Sequence, residues 1–163
     1  MAQKETLSSL TNGNFAKELS IADGKMPPNA LDFERLVIGT FLIDKKGLDH
    51  SIDLLTPEVF YDPRHQVIFS TILKLYEANQ PVDIMTIIQD LKKSEKLNQA
   101  GGDHYIVELT MGVSSSAHIE YHVRVILEKY ILRSLINVSA NVIDSSYKES
   151  TDVFELLDKA EQS

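Results

Sequence analysis

Two histidines, His118 and His122, stand four residues apart, a spacing that would bring two imidazoles onto one helix face, as a metal pair requires. The order His118-Ile119-Glu120-Tyr121-His122 is not the His-Glu-x-x-His arrangement that sets a base beside zinc, and no cysteine exists to help. No third ligand can be located, so the pair reads as ordinary helix histidines. Ser114-Ser115-Ser116 lies close enough to His118 to suggest a nucleophile and its base, but no orienting acid is evident and helix capping explains the serines. Gly101-Gly102 before a helix could cradle a phosphate, yet Asp103 sits where the anion would go and no lysine follows. None of the seven glycines satisfies Gly-x-x-x-x-Gly-Lys-Ser/Thr, so the chain has no P-loop of its own. Lys92, Lys93 and Lys96 form a small basic cluster that reads as a solvated face, and Tyr105 and Tyr121 suit half-wet core or interface positions. No catalytic, metal or cofactor set emerges from these residues.

Composition narrows the classes further. The 163 residues carry 16 Lys+Arg against 24 Asp+Glu, a net charge of −8, which argues against a broad phosphate-gripping surface. With no cysteine, disulfide frameworks, Cys-zinc sites and thiol nucleophiles are excluded. No apolar run approaches the roughly 20 residues of a membrane helix, and residues 1–25 lack the apolar block of a secretory signal. A cytoplasmic setting is the expectation.

The elements follow from the breakers. All five prolines lie at or before Pro81, and the glycines end at Gly112. Residues 113–163 therefore contain neither, which predicts long uninterrupted helix. Residues 1–28 read as a polar tail, with a transient helix at Phe15 to Ile21 and an extended approach at Pro27-Pro28. Helix starts are expected after the caps Asn29, Thr56 (with Pro57), Asp62 (with Pro63), Asp83, Asp103, Ser116 and Thr151. The apolar run Leu36 to Ile43 is read as helix because a capped turn leads into it and no other run offers a strand partner.

The segment Ala117 to Tyr147 would make about 46 Å of helix, whereas a globule of residues 30–112 has a radius of gyration of only about 12 Å. Such a helix must project. It bears two apolar stripes, one through Ile119, Val123, Leu127, Ile131, Leu135, Val138 and Val142, the other through Tyr121, Val125, Leu132, Ile136, Ile143 and Tyr147. One stripe suffices for a helix packed on one side. Two imply that Val153, Phe154, Leu156, Leu157 and Ala160 fold back as a hairpin over one, and another chain covers the other. The fold expected is all-α: a tail at 1–28, a small globular helical head at 29–113 and a projecting helical hairpin at 114–163.

The order of these signals resembles the N-terminal domain of bacterial replicative DNA helicases of the DnaB type. The resemblance covers about residues 27–162. It rests on Pro27-Pro28, Glu34 with Leu36-Val37-Ile38-Gly39, the run Leu55 to Gln66 with Ile68-Phe69, Pro81-Val82-Asp83 with Thr86, Gly101-Gly102 with Tyr105, Ile119-Glu120-Tyr121, Lys129, and Arg133-Ser134-Leu135-Ile136. Phe33, Ser115, His118 and His122 depart from the pattern. The resemblance implies a collar domain of a ring-shaped hexameric helicase, self-associating from dimer up to hexamer and docking the C-terminal domain of primase, with a helicase loader as a further expected partner. It implies that ATP and magnesium belong to a RecA-like motor beyond a linker, that this fragment has no cofactor or catalysis of its own, and that it holds DNA only weakly. Joined to the stripes, it points to Tyr121, Leu127, Ile131, Leu135 and Val138 as the oligomer interface and to Tyr105, Ile136, Val142 and Ile143 as primase-docking residues. A free-standing helical adaptor or loader-like protein without a motor is the alternative, and a metal hydrolase using His118 and His122 a third.

Overall fold

The computed structural model describes residues 25–113, 115–147 and 152–162. Helix α1 spans Leu31–Ile43 and α2 spans Lys45–Ser51. Two 3-10 turns follow, Ile52–Leu54 and Pro57–Val59, and then α3 (Pro63–Glu77), α4 (Ile84–Lys93), α5 (Gly102–Met111), α6 (Ile119–Ser146) and α7 (Val153–Gln162). No strand occurs among the described residues, and Leu36 to Ile43 is helix as expected.

The chain divides into two compact units. One is Asn29–Tyr130; the other gathers residues up to Pro28 with those from Ile131 on. The first has a well-filled core: Phe41, Phe60, Phe69, Ile38, Ile68 and Ile106 are all essentially buried. Phe60 and Phe69 meet with ring centroids 5.0 Å apart, and Phe69 meets Phe41 at 6.2 Å. Helices α1 and α5 pack so closely at Gly39 that any Cβ there would run into the Leu109 carbonyl, while the Val113 side chain lies at 2.8 Å from the same position. Glycine is required at that crossing because nothing larger fits. In the second unit, the Arg133 guanidinium donates to the Pro28 carbonyl at 2.8 Å.

Two of the expected caps fall in place. The Asp62 carboxylate accepts the Arg64 N–H ahead of Pro63, and that of Asp83 accepts the Thr86 N–H at 2.9 Å. Others do not. Ala30 rather than Asn29 occupies the position before α1, without a side-chain cap. Thr56 precedes only a three-residue 3-10 turn, also uncapped by its side chain. Gly101, at φ +92°, takes the position ahead of α5, and Asp103 lies inside the first turn. That left-handed geometry is one glycine adopts freely and aspartate does not. Helix α6 begins at Ile119, whose N–H bonds the Ser116 carbonyl at 3.0 Å, two residues later than a helix capped by Ser116 would start. The expected tail helix at 15–21, Ser114, residues 148–150 and the Thr151 cap lie outside the described residues.

Candidate interaction surface

The 28 residues of α6 change character along their length. Ile119, Val123 and Ile126 are buried in the core of the first unit, and Leu127 and Tyr130 pack against it partly buried. From Ile131 on, large apolar side chains stand in solvent: Ile131 and Leu135 are 55% and 56% exposed, and Leu132, Ile136, Ile143 and Tyr147 are exposed as well. Val138 and Val142 are half-buried. Helix α7 repeats the pattern on ten residues, with Val153, Phe154 and Leu157 open to water. The sequence leads to the expectation that Val153, Phe154, Leu156, Leu157 and Ala160 cover one α6 stripe; Val153, Phe154, Leu157 and Ala160 are exposed, so apolar surface is left over on both helices, and the Leu156 side chain lies outside the described residues. Among the described residues no helix is long and apolar enough to cross a membrane. Exposed apolar side chains at helical spacing are the kind of surface that protein–protein contacts use.

Of the residues expected at an oligomer interface, Tyr121 is exposed, Leu127 half-buried against the head core, Ile131 and Leu135 exposed and Val138 half-buried. Of those expected to dock primase, Ile136 and Ile143 are exposed and Val142 half-buried. Tyr105 differs: it is 7% exposed, and its hydroxyl lies inside the head at 2.7 Å from His65 Nε2. A side chain so enclosed offers no anchor to a partner without the head opening.

Tyr105 belongs instead to a buried polar network absent from the sequence reading. Glu34 on α1 is 1% exposed, and its carboxylate accepts the Tyr61 N–H at 2.6 Å and the Asp62 N–H at 3.2 Å. Its Oε2 also lies 2.7 Å from His65 Nδ1 on α3. The assignment that satisfies every atom has His65 Nδ1–H donating to Glu34 and the Tyr105 hydroxyl donating to Nε2. The His65 and Tyr105 rings stack with planes 9° apart. The Arg64 guanidinium lies over the Tyr105 ring, 4.1 Å from its centroid, while gripping Asp62 through Nε and Nη2. Burial pushes the Tyr105 hydroxyl upward against the pull of Arg35 and Arg64, so it stays protonated. Burial would also raise Asp62, but the hydrogen bonds from the Arg64 side chain and backbone outweigh it and hold the carboxyl below its ordinary value. Glu34 and His65 are each 1% exposed, which withholds the network from solvent. It ties α1, the turn before α3, and α5 together, and its chemistry is that of a satisfied structural network.

His118 is exposed and His122 half-buried, one turn apart, with the His122 N–H bonded to the His118 carbonyl at 3.1 Å. Among the described residues no group of three or more His, Asp or Glu is arranged to hold a metal ion. Lys92, Lys93 and Lys96 are all exposed around the end of α4.

Comparison with known proteins gives consistent matches. A family model described as the DnaB-like helicase N terminal domain matches residues 26–128. The replicative DNA helicase DnaB of Rhodothermus marinus is 43% identical over 138 residues, 85% of this chain and 15% of that protein. The replicative DNA helicase DnaB of Geobacillus stearothermophilus is 33% identical over 138 residues, 85% of this chain and 30% of that protein. The chain thus spans less than a third of the length of these curated relatives. The crystal structure of the N-terminal domain of DnaB helicase from Mycobacterium tuberculosis superposes with a TM-score of 0.79 at 32% identity, covering 84% of this chain and 96% of that one. A DnaB-like replicative helicase, solved in a study of its interactions with primase, gives a TM-score of 0.71 at 26% identity, over 82% of this chain and 31% of that one.

Proposed function

This chain belongs to the DnaB-like helicase N-terminal domain family, and on that premise we propose that it is the collar domain of a replicative helicase, with a head at 29–113 and a helical hairpin at 114–163 that assemble the ring and dock primase. The reading is supported above all by the uncovered apolar side chains of α6 and α7, beginning at Ile131. Each large apolar group left wet forgoes about 1.5–3 kcal/mol, so a second copy has a strong incentive to cover them. Ile131, Leu135 and Val138 are the self-association set, with Tyr121 and Leu127 continuing it along α6. Ile136, Val142 and Ile143 are the primase-docking set. The relative whose solved structure was described with primase motivates the partner. ATP and magnesium would be bound by a motor region in the much longer parent, working in the cytoplasm on DNA at the fork; the −8 charge of this chain fits a domain that leaves DNA to that motor.

The test is light scattering across concentration for the wild type and Leu135→Asp. The wild type forms dimers or larger assemblies and the variant shifts toward monomer with unchanged helicity. A wild type that is monomeric at high concentration contradicts the self-association role. Calorimetry with the C-terminal domain of the cognate primase then separates the second role: Ile136→Asn or Val142→Asp weakens binding while melting temperature and oligomeric state hold. Normal binding by every folded variant places docking elsewhere.

A further inference from the structure

The unit Asn29–Tyr130 holds a histidine whose surroundings accept only its neutral form. Among the described residues, His122 Nδ1 is fully enclosed and without a hydrogen-bond partner. The ring is wedged between Phe33 of α1, at 5.4 Å between centroids and 65° between planes, and Tyr121, at 6.1 Å and 65°. A neutral imidazole can leave one ring nitrogen as an unused acceptor, whereas an imidazolium carries an N–H on both nitrogens and each needs a partner. We infer that the contact between α1 and the first turns of α6 is a proton-sensitive joint: protonating His122 requires water or a new partner at Nδ1, which the Phe33–Tyr121 packing excludes until α6 loosens there.

The charged groups around the joint do not offset that cost. On α6, His118 one turn earlier adds a like charge when protonated, and Glu120 and Arg124 are exposed. On α1, Glu34 is held by His65, Arg35 pairs with Glu108, and Asp32 is exposed. Burial first, then His118, holds His122 below the ordinary histidine value of 6.5. The sign follows. The unfolded chain takes up the proton more readily than the folded one, so the contribution of this residue is full above about pH 6.5 and is lost as pH falls from there toward the lower folded value. The joint matters because the turns it clamps carry Val123 and Ile126 into the core.

The test titrates the His122 ring protons by NMR and records melting curves between pH 7.5 and 5 for the wild type, His122→Phe and His122→Gln. The expected result is a His122 midpoint below 6.5, faster amide exchange at Val123 and Ile126 on acidification beyond the change in intrinsic rate, and an acid loss of melting temperature smaller in His122→Phe by about 2 °C or more. If the phenylalanine variant does not fold, the glutamine variant and the wild-type titration decide. A midpoint at or above the ordinary value would mean that the aromatic rings stabilise the imidazolium as a cation–π pair, and would overturn the inference. Equal acid losses in wild type and folded variants would overturn it too.

Discussion

Ile126 and Ile131 are the same residue type on the same helix, five positions apart, yet Ile126 is 1% exposed and Ile131 is 55% exposed. Five residues turn an α-helix by about 140°, so the two side chains point to different sides, and this chain supplies the other side only for Ile126. Residues Asn29–Tyr130 close a core on themselves, and the buried carboxylate of Glu34 finds three donors, although Ile43, Leu54, Met85 and Met111 stand singly in solvent and His122 Nδ1 has no partner among the described residues. From Ile131 on, the chain presents apolar side chains it does not cover. A region that closes a core in this way draws stability from its own contacts, whereas one that leaves a row of apolar side chains open is suited to partners.

The largest effects should therefore come from the closed region. Glu34→Ala strips a buried carboxylate from two backbone N–H groups and His65, a loss of about 3–5 kcal/mol. That corresponds to a fall in melting temperature of about 10 °C or more, read by calorimetry. Gly39→Ala should be comparably damaging, since the new methyl would strike the Leu109 backbone rather than a side chain able to move aside. A sharper form uses the isoleucine pair. Ile126→Asp should cost about 4 kcal/mol or more through a buried charge and lost apolar contact, and Ile131→Asp, in dilute solution, under about 0.5 kcal/mol. Light scattering should then show the reverse ranking for what survives: Ile131→Asp stays folded but associates less. Equal destabilisation by the two would break the division drawn here.

The helices were legible because each is written locally. Asp62-Pro63 and Asp83 announce α3 and α4, and the absence of proline and glycine beyond residue 112 foretells α6. Local chemistry fails where tertiary demands override it. Thr56-Pro57 carries the same signal as Asp62-Pro63 but yields only a 3-10 turn, because Phe60 must enter the core and the Tyr61 and Asp62 N–H groups must reach Glu34. The Glu34–His65–Tyr105 network was invisible for a related reason. Its members are 31 and 40 residues apart on three elements, and no spacing rule links them. Tyr105 consequently read as a half-wet docking aromatic when its partner was an internal histidine. The exposed half of α6 was legible, since two apolar stripes on one helix already imply more surface than one chain can cover.

A modest effect on the closed region tests whether its stability is concentrated in those buried contacts rather than in its helix signals. Asp83 caps α4 by accepting the Thr86 backbone N–H at 2.9 Å and the Thr86 hydroxyl at the same distance. The backbone bond, with the hydroxyl assisting, holds the Asp83 carboxyl below its ordinary 3.8. Removing such a cap costs about 1 kcal/mol, or about 2–4 °C in a chain of this size. Because the folded value is depressed, the stabilisation is present above the unfolded value and disappears as pH falls through the folded one. The gap between wild type and Asp83→Ala should thus be widest near neutral pH and close in acid. Asp83→Asn can cap but cannot titrate, so it should track the wild type at pH 7 and keep its advantage over the alanine variant in acid, where the wild type loses part of its own. Chemical denaturation of the three proteins at pH 7 and pH 3 measures both. Were Asp83→Ala to cost as much as Glu34→Ala, stability in the head would be spread through its local signals, and the contrast between a closed and an open region would rest on exposure alone.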